Sequence, residues 1–528
     1  MKKPRIYFHN DGRHPLIYMH EPPMQKEEYE AAVDELLGTP VDALVFSLGE
    51  GRTMLHDTKA GELWGHNVEK WPHLIWRRAH QNARMMIDAG HDPLRVVADR
   101  ARSENIRFYP SLNVQWPAVK RGEGTVWVRV SDFRWNNKHL EIGAEGDVDP
   151  GYPGFGCLDF RHREARDERF AIVEETVRRY PVDGFELSLN GFPYFFAPHR
   201  IDDGRPILTE WVRRVSETVR GSGSDRELLV KVPTNLAGGY SLGLDVEEWI
   251  RQGLVDVLVV QDRPGVVNQM ADFRPLVKAA RGTGTRVVAA IHSVVNTDRL
   301  DVETIEMLRA TACNYWAQGV DGMYLDRGWF LDWPYEAPFY QKLRELPYPR
   351  LMEAKDKHYH VLTQPGQGAE DTVLQTPAPL PAKLEVGRPV RLDFTISDDL
   401  HRWDSVGRVH RVLLRIRVRQ TTELDRWRFR LNGRELPEDS LRKINHMYKM
   451  HAPRQRISGY WFVFTLERGH WPKNGANRME ITLLERDPEV TKPIRVWDLE
   501  LETRYLMGKN FHREYVDPDL GPYEFSSA

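Results

Sequence analysis

Cysteine is nearly absent from this 528-residue chain, which has only Cys157 and Cys313. Neither lies in a C-x-x-C pair or beside a histidine cluster, so neither a disulfide framework nor a zinc site is expected. Around His56-Asp57 and His66 there is no H-x-H or H-E-x-x-H spacing, and no metal or other cofactor is expected. Long apolar runs are missing as well. No segment is long enough to span a membrane. No apolar stretch follows Met1-Lys2-Lys3-Pro4, so no secretory leader is expected and the default location is cytoplasmic. Charge of one sign is also lacking. The 74 basic and 77 acidic residues leave a net charge of -3, which offers no general field for nucleic acid. What the chain has in quantity is rings: 16 Trp, 19 Tyr and 20 Phe. Most are expected in cores, but aromatic faces also stack on the flat apolar faces of sugars.

Residues 1–350 alternate short apolar runs with amphipathic segments. The runs are Ile6–Phe8, Ala43–Leu48, Arg107–Val114, Phe185–Leu189, Leu228–Val232, Val257–Val260, Val287–Ile291 and Met323–Leu325. Most lack polar alternation until their ends, as parallel strands do when both faces are covered. Between them, Phe170, Val173, Val177 and Tyr180 share one helical face, as do Leu208, Trp211, Val212, Val215 and Val219. Eight such repeats predict a (β/α)8 TIM barrel in the α/β class. No G-x-G-x-x-G follows the first strand, which weighs against a dinucleotide fold.

The texture changes after the barrel. Residues 351–384 read as a linker, with Gln364-Pro365-Gly366-Gln367-Gly368 and Pro377-Ala378-Pro379-Leu380-Pro381 at its centre. From 385 to 506 the period is two. Trp427, Phe429 and Leu431 alternate before an Asn432-Gly433 turn; Met479, Ile481 and Leu483 alternate, as do Trp497, Leu499 and Leu501. An antiparallel β-sandwich accessory domain is expected there, then a tail at 507–528.

In a strand, residues of equal parity line one surface. Glu186, Ser188 and Asn190 therefore share a face that Leu187 and Leu189 do not. A carboxylate on the inner face of a barrel is costly unless paired or hydrated, which marks Glu186 as a candidate catalytic group. Active sites of such barrels form where the strands end. There the chain offers Asp262 and Asp326 as second carboxyls. Asn10, Asp11, Glu50, Asn113, Asn190, His292 and Arg327 are candidate hydrogen-bonding groups, and Trp116, Tyr194 and Trp329 candidate stacking rings.

The stretch Leu158-Asp159-Phe160-Arg161-His162-Arg163-Glu164-Ala165-Arg166, followed by Arg179-Tyr180-Pro181-Val182-Asp183-Gly184-Phe185-Glu186, resembles the family-10-like glycosyl hydrolases. Asp159, Glu164, Arg166, Tyr180, Asp183 and Gly184 match the pattern, over about 40 residues. The family often has Asp two residues after the position of Glu186, where this chain has Ser188. The resemblance implies a carbohydrate substrate and glycosidic cleavage by two carboxyls, one protonated and one ionised. Glu186 with Asp262 or Asp326 is the pair the sequence supplies. Ser188 and the lack of an acid on the seventh strand feed two alternatives: a non-catalytic carbohydrate-binding barrel, and a lyase or isomerase of sugar acids using Arg263, His292 and Arg327. Oligomeric state is left open.

Overall fold

The computed structural model describes residues 3–508, apart from 14–16, 52, 117–121, 263–264, 298, 301, 327, 364–373, 375 and 446–458, together with 516–517 and 521–522. Eight parallel strands close a barrel. They are β1 (Ile6–Asn10), β2 (Ala43–Glu50), β3 (Arg107–Asn113), β4 (Gly184–Ser188), β5 (Glu227–Pro233), β6 (Val257–Gln261), β7 (Arg286–Ile291) and β8 (Gly322–Leu325). Each pairs with its sequence neighbours, and β8 pairs with β1 to complete the circle. The strands are apolar on both faces because both are covered. Ile6, Phe8, Phe185, Leu187, Leu228 and Val230 meet the outer helices, while Tyr7, Val45, Tyr109, Leu229, Val259, Val288 and Tyr324 fill the lumen. The helices Arg163–Arg179 and Ile201–Gly221 bury the stripes expected of them, Val173 and Val177 on one, Leu208, Val212 and Val219 on the other.

Lumen parity puts charges at the N-terminal end of the barrel. The Arg286 guanidinium donates to Glu227 Oε1 at 2.8 Å and to the Tyr7 hydroxyl at 2.9 Å. The Tyr109 hydroxyl donates to Glu227 Oε2 at 2.8 Å, and Arg107 lies 3.4 Å from the same oxygen. This network forms a floor in which both oxygens of Glu227 are satisfied.

The second region is two antiparallel sheets. One contains β9 (Lys357–His360), β11 (Val409–Arg419), β13 (Leu441–Asn445), β14 (Gly459–Thr465) and β16 (Arg495–Tyr505), in the order β9-β16-β11-β14-β13. The other contains β10 (Val390–Ile396), β12 (Arg426–Leu431) and β15 (Gly475–Glu485). Val412, Leu414, Ile416 and Val418 face Met479, Ile481 and Leu483 in the shared core. Asn432 and Gly433 both have positive φ, 53° and 81°, as a two-residue hairpin turn requires.

Two expectations change. The segment 351–384 is not linker throughout, because Lys357–His360 pairs with Glu500–Thr503 as a strand. Of its two proline- and glycine-rich runs, Gln364–Gly368 lies outside the described residues. The core stripe of β16 is Val496, Leu499 and Leu501 rather than Trp497, Leu499 and Leu501. A register shift opposite Arg417/Val418 inserts one residue there, and a bulge of that kind reverses parity. Trp497 consequently lies on the outer face beneath the Arg419 guanidinium, 3.5 Å from its ring centre. The tail 507–528 is largely outside the described residues. Among those described, no helix is long and apolar enough to cross a membrane.

Candidate active site

The C-terminal end of the lumen collects polar groups from seven strands by parity alone. Tyr7 is followed inward by His9, Tyr109 by Ser111 and Asn113, Glu186 by Ser188, Leu229 by Lys231, and Val259 by Gln261. Beyond the strand ends, Ala290 is followed by His292 and Tyr324 by Asp326. Glu186 is fully buried. Its Oε1 accepts from the Ser111 hydroxyl at 2.6 Å and the Tyr324 hydroxyl at 3.2 Å. Its Oε2 has no hydrogen-bond partner among the described residues. Burial raises the Glu186 carboxyl above the ordinary carboxylate range, and the Lys231 ammonium opposes that rise only in part.

Asp326, also buried, has the opposite environment. Lys231 donates to its Oδ1 at 2.6 Å, and the Gln261 amide donates to Oδ2. Burial alone would raise this carboxyl; the Lys231 ammonium instead holds it far below the usual range. Gln261 is fixed in turn, since the Asn190 amide donates to its Oε1 at 2.8 Å. The chain Asn190–Gln261–Asp326–Lys231 thus locks a carboxyl held far below the usual range beside one that burial raises above it. Burial also pushes the His9 imidazole down to about 4 and lowers His292, so both rings are neutral near pH 7. The Gln261 amide lies 3.4 Å from His292 Nε2, which makes that nitrogen an acceptor.

Glu186, Asp326, His292 and Asn190 converge in this mouth. Asn113 stands on the same face, half-buried. Several expected groups do not converge. Asp262 follows Val260 in parity, not Val259, and points away from the lumen. Its carboxylate accepts from Thr234 at 2.9 Å, Asn268 at 2.5 Å and Thr376 at 2.6 Å, so the pair Glu186–Asp262 is replaced by Glu186–Asp326. Asn10 likewise has the parity of Phe8, and its Oδ1 accepts from the Gly12 N–H at 2.9 Å. Asp11 has the right parity but turns to the Arg13 N–H at 2.9 Å. Trp329 is no stacking platform. It is fully buried in the outer core, with its indole N–H on the Ile291 carbonyl at 3.0 Å. Tyr194 is buried in a side cluster against Tyr152. Trp116, half-buried, lies between the Arg129 guanidinium and Phe192. The Glu50 side chain, Arg263 and Arg327 lie outside the described residues.

Three mouth residues carried a sequence signal that residue type obscured. His9, Lys231 and Gln261 have the same parity as lumen neighbours, and a lysine inside Leu228-Leu229-Val230-Lys231-Val232 is costly to bury unless it has a partner. Two residues of the family resemblance, Asp183 and Gly184, brace the start of β4 rather than enter the lumen. Asp183 accepts from the Phe108 N–H at 2.9 Å. At Gly184 a Cβ would stand 2.0 Å from the Glu227 carbonyl oxygen, which excludes any other residue.

For a cation, Glu62, His66 and Asp132 are the one described cluster of suitable donors. His66 Nε2 lies 3.3 Å from Glu62 and 3.1 Å from Asp132. These groups pin the loop after β2 to the loop after β3 and are not on the lumen face. Of the H-x-H pair, His358 is committed to Glu500 of the second region and His360 to the Val267 carbonyl in the barrel loop after β6.

No family model matches the chain. Among curated proteins it is similar to glycosyl hydrolase DigH of Escherichia coli strain K12, with 24% identity over 243 residues, 38% of this chain and 51% of that protein. The same figures hold for glycosyl hydrolase DigH of Shigella flexneri. The chain therefore spans about half the length of the curated relatives it matches. Among solved structures, the endo-β-1,4-mannanase of Thermotoga petrophila aligns with 93% of this chain and 97% of its own, at 12% identity and a TM-score of 0.46.

Proposed function

We propose that the barrel hydrolyses a glycosidic bond, with Glu186 as the proton donor and Asp326 as the ionised partner, on a glycan or glycoside. One observation carries this: two carboxyls of one lumen, displaced in opposite directions by their surroundings. Environments that push two acids apart are how a carbohydrate site assigns acid and base at one pH. A proton on Glu186 Oε2 has no acceptor among the described residues, which leaves that role to the glycosidic oxygen of a substrate. Asp326 supplies the negative charge that a developing oxocarbenium ion needs. Lys231 and Gln261 hold it in place, and Asn113, Ser188 and the neutral His9 and His292 present hydrogen-bonding groups for hydroxyls. The likeness to glycosyl hydrolase DigH and the resemblance to the family-10-like group support the same substrate class.

A second reading, a carbohydrate-binding barrel without turnover, is favoured by one feature: both Asp326 oxygens are already occupied and Glu186 is fully covered. Hydrolysis of a panel of aryl glycosides and oligosaccharides by wild type, Glu186→Gln and Asp326→Asn separates them. Turnover lost in both variants, with binding retained, supports the hydrolase. Sugar binding without turnover by wild type on every substrate supports the binder.

A further inference from the structure

The outer face of β11, β14 and β13 holds a groove of about 280 Å³ whose rim is arginine. Strand alternation puts it there. Val412, Leu414, Ile416 and Val418 turn into the sandwich core, so Arg411, Arg415, Arg417 and Arg419 turn outward. Across the sheet Arg415 is in register with Val463, and Val463 with Arg442, while Arg417 is in register with Trp461. The floor is therefore apolar, with Leu413 and Val463 between the cations.

Part of this charge is neutralised. Arg415 donates to Glu502 at 2.5 Å, and Arg299 bonds Glu500. Arg411 and Arg442 are exposed, and neither has an ion pair among the described residues. Two uncompensated guanidiniums at the edges of an apolar strip make the groove attractive to anions. Guanidinium forks bind carboxylates bidentately. One wall, Arg299, belongs to the barrel loop that starts at His292 in the mouth. The groove and the mouth are thus joined by a single short loop.

We propose that this groove binds an anionic glycan, a polymer carrying carboxylate or sulfate groups, as a second site beside the barrel mouth. The choice of a glycan as the anion rests on the hydrolase reading; the groove's charge does not.

Affinity electrophoresis of the full chain through gels containing polygalacturonate, a neutral glucan or duplex DNA tests it. The expected result is retardation by polygalacturonate, absent with the neutral glucan and weak with DNA. The apparent affinity should fall at least about tenfold in Arg411→Gln/Arg442→Gln, as loss of two charge-assisted contacts requires. It should also weaken as salt rises from 50 to 200 mM, roughly halving the screening length. The double variant changes only exposed side chains, and circular dichroism checks its fold. Retention unchanged in the double variant, no retention by any anionic glycan, or equal retention by DNA overturns the proposal. Retardation that persists in Glu186→Gln supports the groove whether or not the barrel hydrolyses anything.

Discussion

The two ends of one barrel lumen hold similar chemistry and use it differently. At the floor, Glu227 faces Arg107, Arg286, Tyr7 and Tyr109, and both of its oxygens are taken. At the mouth, Glu186 keeps one oxygen without a partner among the described residues, and the nearby cation Lys231 is committed to Asp326. Buried polar groups are normally satisfied, because an unmet hydrogen bond costs about 1–3 kcal/mol. A saturated network is what stability alone requires. An unsaturated one, with acids displaced in opposite directions, is what a site needs when its last partner is a ligand.

This contrast breaks most readily where the effects are largest. Glu227→Gln leaves two arginines facing an amide and is expected to cost about 3–5 kcal/mol of stability. Chemical denaturation measures that, and turnover per folded molecule should be unchanged. Glu186→Gln should do the reverse. The amide can keep the bonds from Ser111 and Tyr324, so stability should move by no more than about 1 kcal/mol, while turnover on a cleaved glycoside falls roughly 10²–10⁴-fold. If Glu227→Gln abolished turnover and Glu186→Gln merely unfolded the chain, the two ends would have been assigned the wrong way round.

Smaller but more diagnostic is the pH dependence. Asp326 is depressed in the folded state. Its contribution is therefore present above the unfolded value, about 3.9, and is lost as pH falls through the folded value. Glu186 is raised. Its contribution is present below about 4.3 and is lost as pH rises through the folded value. Denaturation across pH should show the stability advantage of wild type over Asp326→Asn shrinking in acid, and that over Glu186→Gln shrinking as pH rises. The smallest effect is expected at Trp329→Phe, which trims a buried ring and its bond to Ile291. About 1 kcal/mol of stability should be lost, with KM for any cleaved glycoside unchanged, because the ring is in the outer core and does not meet the mouth.

Much of this was legible from period and parity. Eight two-face apolar runs announced the barrel, and alternation around Leu187 put Glu186 in the lumen with Ser188. The same rule applied to Val257-Leu258-Val259-Val260 would have chosen Gln261 over Asp262, and applied to Leu229 would have found Lys231. At the sixth strand the acid Asp262 and the lumen parity of Gln261 point to different residues, and in the fifth strand no acid stands beside Lys231 to mark it. Other features lie beyond a one-dimensional pattern. Whether Trp329 caps the mouth or fills the outer core depends on how the chain turns after β8. Trp497 left its stripe because a bulge shifts register, which alternation cannot foresee. Asp183 and Gly184 of the family resemblance proved to be braces for β4, since a backbone that must approach Glu227 closely restricts position 184 to glycine.

The most direct test is the protonation state of Glu186 itself. Infrared difference spectra of wild type against Glu186→Gln, taken above pH 5 where exposed carboxylates are ionised, should show one protonated carboxyl band present in wild type, kept in Asp326→Asn and missing from Glu186→Gln. A spectrum in which wild type has no such band, with Glu186 ionised alongside Asp326, would contradict the division of labour between the two acids.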